Sequence, residues 1–347
     1  MIKTQTMKKG IVSVGNWLVD YVKVIEKYPA PGNLTTIESV KVGLGGCAHN
    51  VSVNLAKMKT GFPVYAAGCI GDDANGEYVL REIEANGMHT RYMNIIKGVA
   101  TSYTDVMAER GGASRTYFHC RGANAYLDME HIEKIDANAK IIHLGYLLLL
   151  DKLDTPDPEY GTRTARLLKQ LKEQGYKTSV DVVSEEGDRF SKIVRPCLPY
   201  IDYLIFNEIE AGSVTCLKIR RADGSIDTSA LKEAAAMLMA EGVGELVAIH
   251  FPEGGYSLYK DGSSYFVPSF KVDSGDIVST VGAGDAFCAA MLYAVHENYA
   301  PAEALLFANA NARFNLMDAT CTGGAVPVAK IKEFIASNPE QYSIDLI

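Results

Sequence analysis

No run of apolar residues in this 347-residue chain approaches the roughly 20 that a membrane-spanning helix needs, which excludes a helical membrane protein. Residues 1–10 carry charge but no apolar stretch ahead of a cleavage site, so no signal peptide is expected. Cysteine pairs are missing as well. The seven cysteines (47, 69, 120, 197, 216, 288 and 321) are odd in number, scattered and without a Cys-x-x-Cys. That pattern argues against a disulfide framework or a zinc site and for a reducing, cytoplasmic setting. Basic charge is short: the net charge is −8 and no dense Lys/Arg stripe occurs, which disfavours a nucleic-acid partner. A nucleotide is not excluded, because phosphate sites can be built from backbone N–H groups and magnesium. There is no internal repeat and no low-complexity segment. The first apolar strand ends in Gly15-Asn16-Trp17-Leu18-Val19-Asp20. It lacks the Gly-x-Gly-x-x-Gly turn opening a helix, which removes a dinucleotide-dependent dehydrogenase.

What is present is apolar material, 48% of the residues, enough to bury a large core. The length suits two average domains or one large α/β domain. Short β-rich runs at 10–15, 64–70, 141–144, 177–181, 203–206 and 246–250 read as buried strands. Amphipathic patterns at 75–86, 162–174 and 229–240 read as helices. In the second, Ala165, Leu167, Leu168 and Leu171 share one face, and Gly175 stops it. Such alternation predicts a mostly parallel, doubly wound sheet with helices on both faces and ligands at the carboxyl ends of the strands. Residues 21–42 and 102–120 break the pattern. Each reads as two antiparallel strands around a turn (Pro29 to Gly32, and Gly111-Gly112), forming either edge hairpins or a small separate sheet over the site. As a lid, that sheet would need its far face covered, which suits a homodimer formed through it.

Residues 279–288, Ser-Thr-Val-Gly-Ala-Gly-Asp-Ala-Phe-Cys, are the most informative run. Gly282, Ala283 and Gly284 bring a tight turn up to Asp285 at the start of an apolar helix. Unpaired N–H groups and the helix dipole favour an anion there. Donors for a phosphoryl group beside a base for a hydroxyl are what phosphoryl transfer requires. An ordinary Asp at a helix start is the alternative reading. Gly43-Leu44-Gly45-Gly46-Cys47-Ala48-His49-Asn50 runs into a second helix, where paired glycines admit a close ligand and Asn50 offers both donor and acceptor. Asn16 and Asp20, past the first strand, suit a polyhydroxy ligand; a turn or cap role is the alternative for Asp20. Asn207 and Glu210 share one face of a starting helix. They suit water-coordinated magnesium or, alternatively, a solvated acidic first turn.

In this order these elements resemble the ribokinase-like (PfkB-type) family of small-molecule kinases, from about residue 10 to Pro327. Gly-Gly-x-x-x-Asn at 45–50 and Thr-Val-Gly-Ala-Gly-Asp at 280–285 match its two signatures. Further matches are Pro31-Gly32, Gly71-Asp72-Asp73 with Gly76, Gly122-Ala123-Asn124, Phe206-Asn207-Glu208 and Gly323-Gly324-Ala325. The resemblance implies a ribokinase-like kinase domain over 8–330, the two insertions as its lid and a C-terminal extension at 331–347. It implies an ATP- and Mg2+-dependent kinase acting on a sugar or sugar acid. In that reading Asp285 is the base, and Gly282, Ala283 and Gly284 form the anion hole. Asn16, Asp20, Gly45, Gly46 and Asn50 hold the acceptor. Asn207, Glu210, Gly255, Thr280 and Asn309 serve the nucleotide, with Glu210 on magnesium through water. Some positions depart from the pattern. Ser279 stands where the family usually has Asp, so potassium activation is expected to be weak. Residues 250–255, His-Phe-Pro-Glu-Gly-Gly, keep only the last glycine of the usual Thr-x-Gly-x-x-Gly, and Pro252 has no N–H for a phosphate. His250 is open to a phosphate contact or a structural role. Leu18 stands where ribose-binding members tend to be polar, which counts against ribose. A nucleoside kinase, with Trp17, Tyr21 and Phe118 as a base slot, and a non-catalytic sugar sensor are the alternatives.

Overall fold

The computed structural model describes residues 9–111, 115–184 and 187–343. Gly112 of the second lid turn, residues 185 and 186 and the last four residues of the chain lie outside these. The chain opens with β1 (Gly10–Gly15), β2 (Leu18–Ile25), β3 (Ile37–Gly45), α1 (Cys47–Lys57), β4 (Val64–Gly71), α2 (Ala74–Ala85) and β5 (His89–Ile96). It continues through β6 (Tyr103–Glu109), β7 (Arg115–Cys120), α3 (Met129–Ile132), β8 (Ala139–Leu147), β9 (Pro156–Asp157), β10 (Gly161–Thr162) and α4 (Arg163–Glu173). Next come β11 (Lys177–Val182), α5 (Phe190–Ile193), β12 (Tyr203–Asn207), α6 (Glu208–Thr215) and α7 (Thr228–Ala240). The last elements are β13 (Leu246–Phe251), β14 (Gly254–Tyr259), β15 (Ser264–Pro268), α8 (Ala283–His296), α9 (Pro301–Leu316) and α10 (Val328–Ala336).

Nine strands form one sheet in the order β15-β14-β13-β12-β11-β8-β1-β4-β5, with β14 and β15 antiparallel and the rest parallel. Alternate residues of its central strands feed two cores, which is why these strands are apolar throughout. On β12, Leu204 and Phe206 face one core while Tyr203 and Ile205 face the other; β13 divides Val247 and Ile249 from Leu246 and Ala248 in the same way. Helices α1, α2, α8 and α9 cover one face, and α4 and α7 the other. Thr162 caps α4 by accepting from the Ala165 N–H at 3.1 Å, and Gly175 follows that helix with φ of 80°. From β1 the chain winds outward to β4 and β5, then returns to β8 on the other side. The crevice between β1 and β8 is therefore the topological switch point, where such sheets bind ligands.

The two insertions form a separate four-stranded sheet in the order β3-β2-β6-β7. Each hairpin is antiparallel, and β2 runs parallel to β6. The first hairpin is longer than the sequence pattern suggests, because only Asn16 and Trp17 separate β1 from β2. Asp20 consequently lies within a lid strand and not in a loop after β1. The C-terminal boundary also needs correction. Residue 330 falls inside α10, whose Ile331 is fully buried. Beyond it, the Lys271 N–H donates to the Glu340 carbonyl and the Tyr342 N–H to the Ser269 carbonyl, both at 2.9 Å. The described part of the extension is thus folded into the domain.

Candidate active site

Strand ends and two helix starts converge at the switch point. Gly282 caps α8 with φ of 81°, and a β-carbon there would sit 2.7 Å from the Cys321 Cα, so only glycine makes this turn. Among the described residues the N–H groups of Gly282 and Gly284 have no hydrogen bond, while that of Ala283 reaches the Thr280 carbonyl at 3.3 Å. Asp285 follows, buried in the first turn. Its Oδ2 accepts from Asn50 Nδ2 at 2.8 Å, and the Tyr146 hydroxyl lies 3.2 Å from Oδ1. Burial raises its pKa to about 6, against the opposing hydrogen bonds of Asn50, Tyr146 and Cys47.

The surroundings of Asn50 account for its orientation. His49 Nδ1 lies 2.9 Å from Asn50 Oδ1, which leaves the amide nitrogen for Asp285. The His49 ring packs edge-on against Trp17 with centroids 5.8 Å apart, and Trp17 Nε1 donates to the Ala67 carbonyl at 2.9 Å. Trp17 is therefore buried scaffolding behind His49 and Asn50 and cannot form a slot for a nucleobase. Tyr21 is bonded through its hydroxyl to Asn75 Oδ1 at 2.6 Å, and Phe118 is exposed. Asn16 is buried with its Oδ1 unpartnered. Asp20 lies against Gly45, where a β-carbon would collide with the carboxylate, and burial raises its pKa to about 6. Gly46 caps α1 with φ of 95°.

Three further groups meet Asp285 without having stood out in the sequence. Tyr146 comes from the end of β8, Asp181 from β11 and Cys47 from the first turn of α1. The Cys47 thiol donates toward Asp181 Oδ2 at 3.6 Å, and the Val182 N–H donates to Asp181 Oδ1 at 2.8 Å. Burial first, then the charges of Glu210 and Asp285, push the Asp181 pKa well above the carboxylate range. Its place at a strand end was the one signal that marked it. Asn207 and Glu210 form a reciprocal helix cap. Asn207 Oδ1 accepts from the Glu210 N–H at 2.8 Å, and Glu210 Oε2 accepts from the Asn207 N–H at 2.9 Å. The pair does start the helix, but Glu210 is buried there and not solvated as the alternative reading expects. Both residues also line a cleft of about 100 Å³ with Asp181, Gly282, Gly284 and Asp285. Glu210 has a pKa raised to about 7, chiefly by burial.

A family model, "pfkB family carbohydrate kinase", matches residues 8–327. The chain belongs to the pfkB family of carbohydrate kinases. This kinase is 24% identical to a deoxyribokinase of Salmonella typhi over 80% of its own length and 82% of the relative's. It is likewise 24% identical to a 5-dehydro-2-deoxygluconokinase of Clostridium perfringens over 96% and 95% of the two chains. Its fold matches the structure of Arabidopsis thaliana ribokinase complexed with ribose and ATP, with a TM-score of 0.77, 21% identity, and 95% and 99% of the chains covered.

In this pfkB kinase the small cleft adjoins a larger cavity of about 530 Å³, and the two share Asn207, His250 and Gly284. Phe251, Phe270, Ile277 and Phe287 give the larger cavity apolar walls, and Thr280 and Asn309 also line it. Asn309 Nδ2 donates to the Val267 carbonyl at 2.9 Å. Gly255 sits elsewhere. It pairs with His250 inside the sheet, and the space of its missing side chain is filled by Phe287 and Leu305. That glycine is a packing position because β14 runs beneath the cavity and not along its wall. The His250 ring packs on Phe287 with centroids 4.9 Å apart, and burial lowers its pKa to about 4, so it is neutral. Ser279 Oγ is buried and accepts from the Val281 N–H at 3.2 Å. Among the described residues no helix is long and apolar enough to cross a membrane.

Proposed function

We propose that this kinase transfers the γ-phosphoryl group of ATP to a hydroxyl of a sugar or sugar acid, with Asp285 as the base. The seat of Asp285 carries the proposal. A buried carboxylate with a pKa near 6 lies beside unpaired N–H groups at the start of a fourteen-residue helix, between an apolar cavity and a polar cleft. In this reading the acceptor hydroxyl gives its proton to Asp285 as its oxygen attacks the γ-phosphorus, and ADP leaves with the electrons of the broken P–O bond. The Gly282 and Gly284 N–H groups receive the equatorial charge. Asn50 and Tyr146 orient the base, while Asp20 and the unpartnered Oδ1 of Asn16 receive other acceptor hydroxyls alongside Gly45 and Gly46. The larger cavity takes the adenine between Phe251 and Ile277, near Thr280 and Asn309.

Magnesium fits the donors at hand. Asp181, Glu210 and Asp285 are buried acids, the charge of Asp285 raises the pKa values of the other two, and no Lys or Arg is among the described residues lining the small cleft. Such oxygen ligands call for a hard cation. Glu210 would hold it through water, and the ion would supply charge neutralisation for the phosphates. The four-stranded sheet acts as a lid that excludes water, and its exposed Val40, Val42 and Phe118 support dimerisation through it.

The test is acceptor-stimulated ATP consumption measured side by side on hexoses, pentoses, sugar acids and nucleosides. A sugar or sugar acid is expected to give the highest kcat/KM. A tenfold advantage for adenosine, guanosine or inosine would establish a nucleoside kinase, and sugar binding without any turnover would establish a sensor.

A further inference from the structure

Beside Asp20 the lid carries two side chains that the kinase reading leaves unused. Asp20 on β2 pairs in register with Thr104 on β6, and Thr104 pairs with His119 on β7. Register partners leave the same face of a sheet, so the row spans about 10 Å across three strands. That face is turned to the site: Asp20 lies against Gly45, and both Asp20 and Asp285 act on the Cys321 thiol. Tyr21, on the opposite face, reaches Asn75 of α2 instead.

The row has a defined polarity. His119 Nδ1 lies 3.0 Å from the Thr104 hydroxyl, and that hydroxyl faces the Asp20 carboxylate and lowers its pKa. One hydroxyl proton cannot serve both neighbours. An ionised carboxylate only accepts, so Thr104 donates to Asp20 and accepts from the His119 Nδ1–H. Partial burial, then the charge of Arg121, lowers the His119 pKa, which keeps the ring neutral. Its Nε2 is therefore a lone-pair acceptor. Beneath the row the unpartnered Asn16 Oδ1 and the carboxylate of Asp285 are acceptors too. The neighbouring cations are engaged elsewhere. Arg121 pairs with Asp151, Arg189 donates to the Leu148 carbonyl, and Lys23 pairs with Asp105 on the lid's other face. Lys41, one row outside Gly43, and Arg115, two rows outside His119, are the exposed cations on this face among the described residues.

We infer that Thr104 and His119 are specificity-determining residues of the acceptor site, completing with Asp20 a row of hydrogen-bond acceptors that selects an uncharged polyhydroxy sugar over a sugar acid. The inference rests on the kinase reading above. Hydroxyl groups satisfy such a row, whereas a carboxylate would leave its acceptors unpaired and face like charge.

The experiment compares kcat/KM for neutral aldoses and ketoses with that for aldonic and 2-keto-3-deoxyaldonic acids, on the full-length protein and four variants. The wild type is expected to favour its best neutral sugar by about tenfold or more, the worth of one or two lost charged hydrogen bonds. His119→Arg replaces an acceptor with a cation and is expected to shift the acid-to-neutral ratio by about tenfold toward acids. Thr104→Val is expected to raise the neutral sugar's KM about tenfold with a smaller effect on kcat, and Thr104→Ser to restore it. A wild-type preference for acids that disappears in Lys41→Ala would overturn the inference, as would a ratio unmoved by His119→Arg. If no sugar, acid or nucleoside raises ATP consumption above the acceptor-free rate, the kinase reading itself falls first.

Discussion

To serve as the proposed base, Asp285 must be ionised, and it sits where ionisation is costly. With its pKa raised to about 6, the carboxylate is protonated below that value. The kcat/KM profile is therefore expected to fall as pH drops through about 6 and to level off above it. Tyr146→Phe removes a donor that lowers this pKa, so the acid limb should move to higher pH. A limb that stays in place would show that the Tyr146 hydroxyl does not tune the base. Ser279 offers a hydroxyl where the family has a carboxylate, a poorer ligand for a hard cation. Changing sodium for potassium in the assay should therefore alter the rate little, and a many-fold rise would refute this. At this scale Asp285, its glycines and the 45–50 run were legible because each lies in one contiguous motif. Tyr146 and Asp181 were not. They reach Asp285 from the ends of β8 and β11, over a hundred residues away, and no local pattern sets a functional strand end apart from a structural one.

Helix α8 turns that residue chemistry into a site by beginning at Gly282, where a left-handed turn and the Cys321 backbone leave no room for a side chain. Gly282→Ala is expected to cost roughly 1–3 kcal/mol of stability, read as a lower Tm, and to lower kcat by displacing the N–H groups. Unchanged melting and turnover would mean that the turn tolerates a β-carbon and is not strained. The buried parallel strands and the helices at 75–86, 162–174 and 229–240 were readable from periodicity, and all lie within about a residue of their observed ends except the strand read at 141–144, which extends over 139–147. The lid hairpin was harder. The alternation of β2 starts two residues after β1 ends, so Asp20 read as a loop residue. In the structure the register Asp20–Thr104–His119 is set by pairing between distant strands, which a single strand's pattern does not encode.

The whole molecule is a doubly wound sheet whose switch point, lid and C-terminal tail surround one crevice. The tail was the least legible part, because residues 337–343 have no periodicity; they are held by backbone bonds to residues 269–271. Tyr342 nevertheless lines the larger cavity. Ending the chain after Asn338 should raise the KM for ATP severalfold and leave that for the acceptor nearly unchanged. Equal effects on both would mean that the tail supports the fold at large. The central claim is that this crevice moves a phosphoryl group with Asp285 as base, and Asp285→Asn tests it most directly. The amide keeps the shape and loses the proton acceptor, a contribution of roughly 10²–10⁴-fold. Turnover should fall by that factor while calorimetry shows ATP and sugar still binding. Turnover close to that of the wild type would contradict the account.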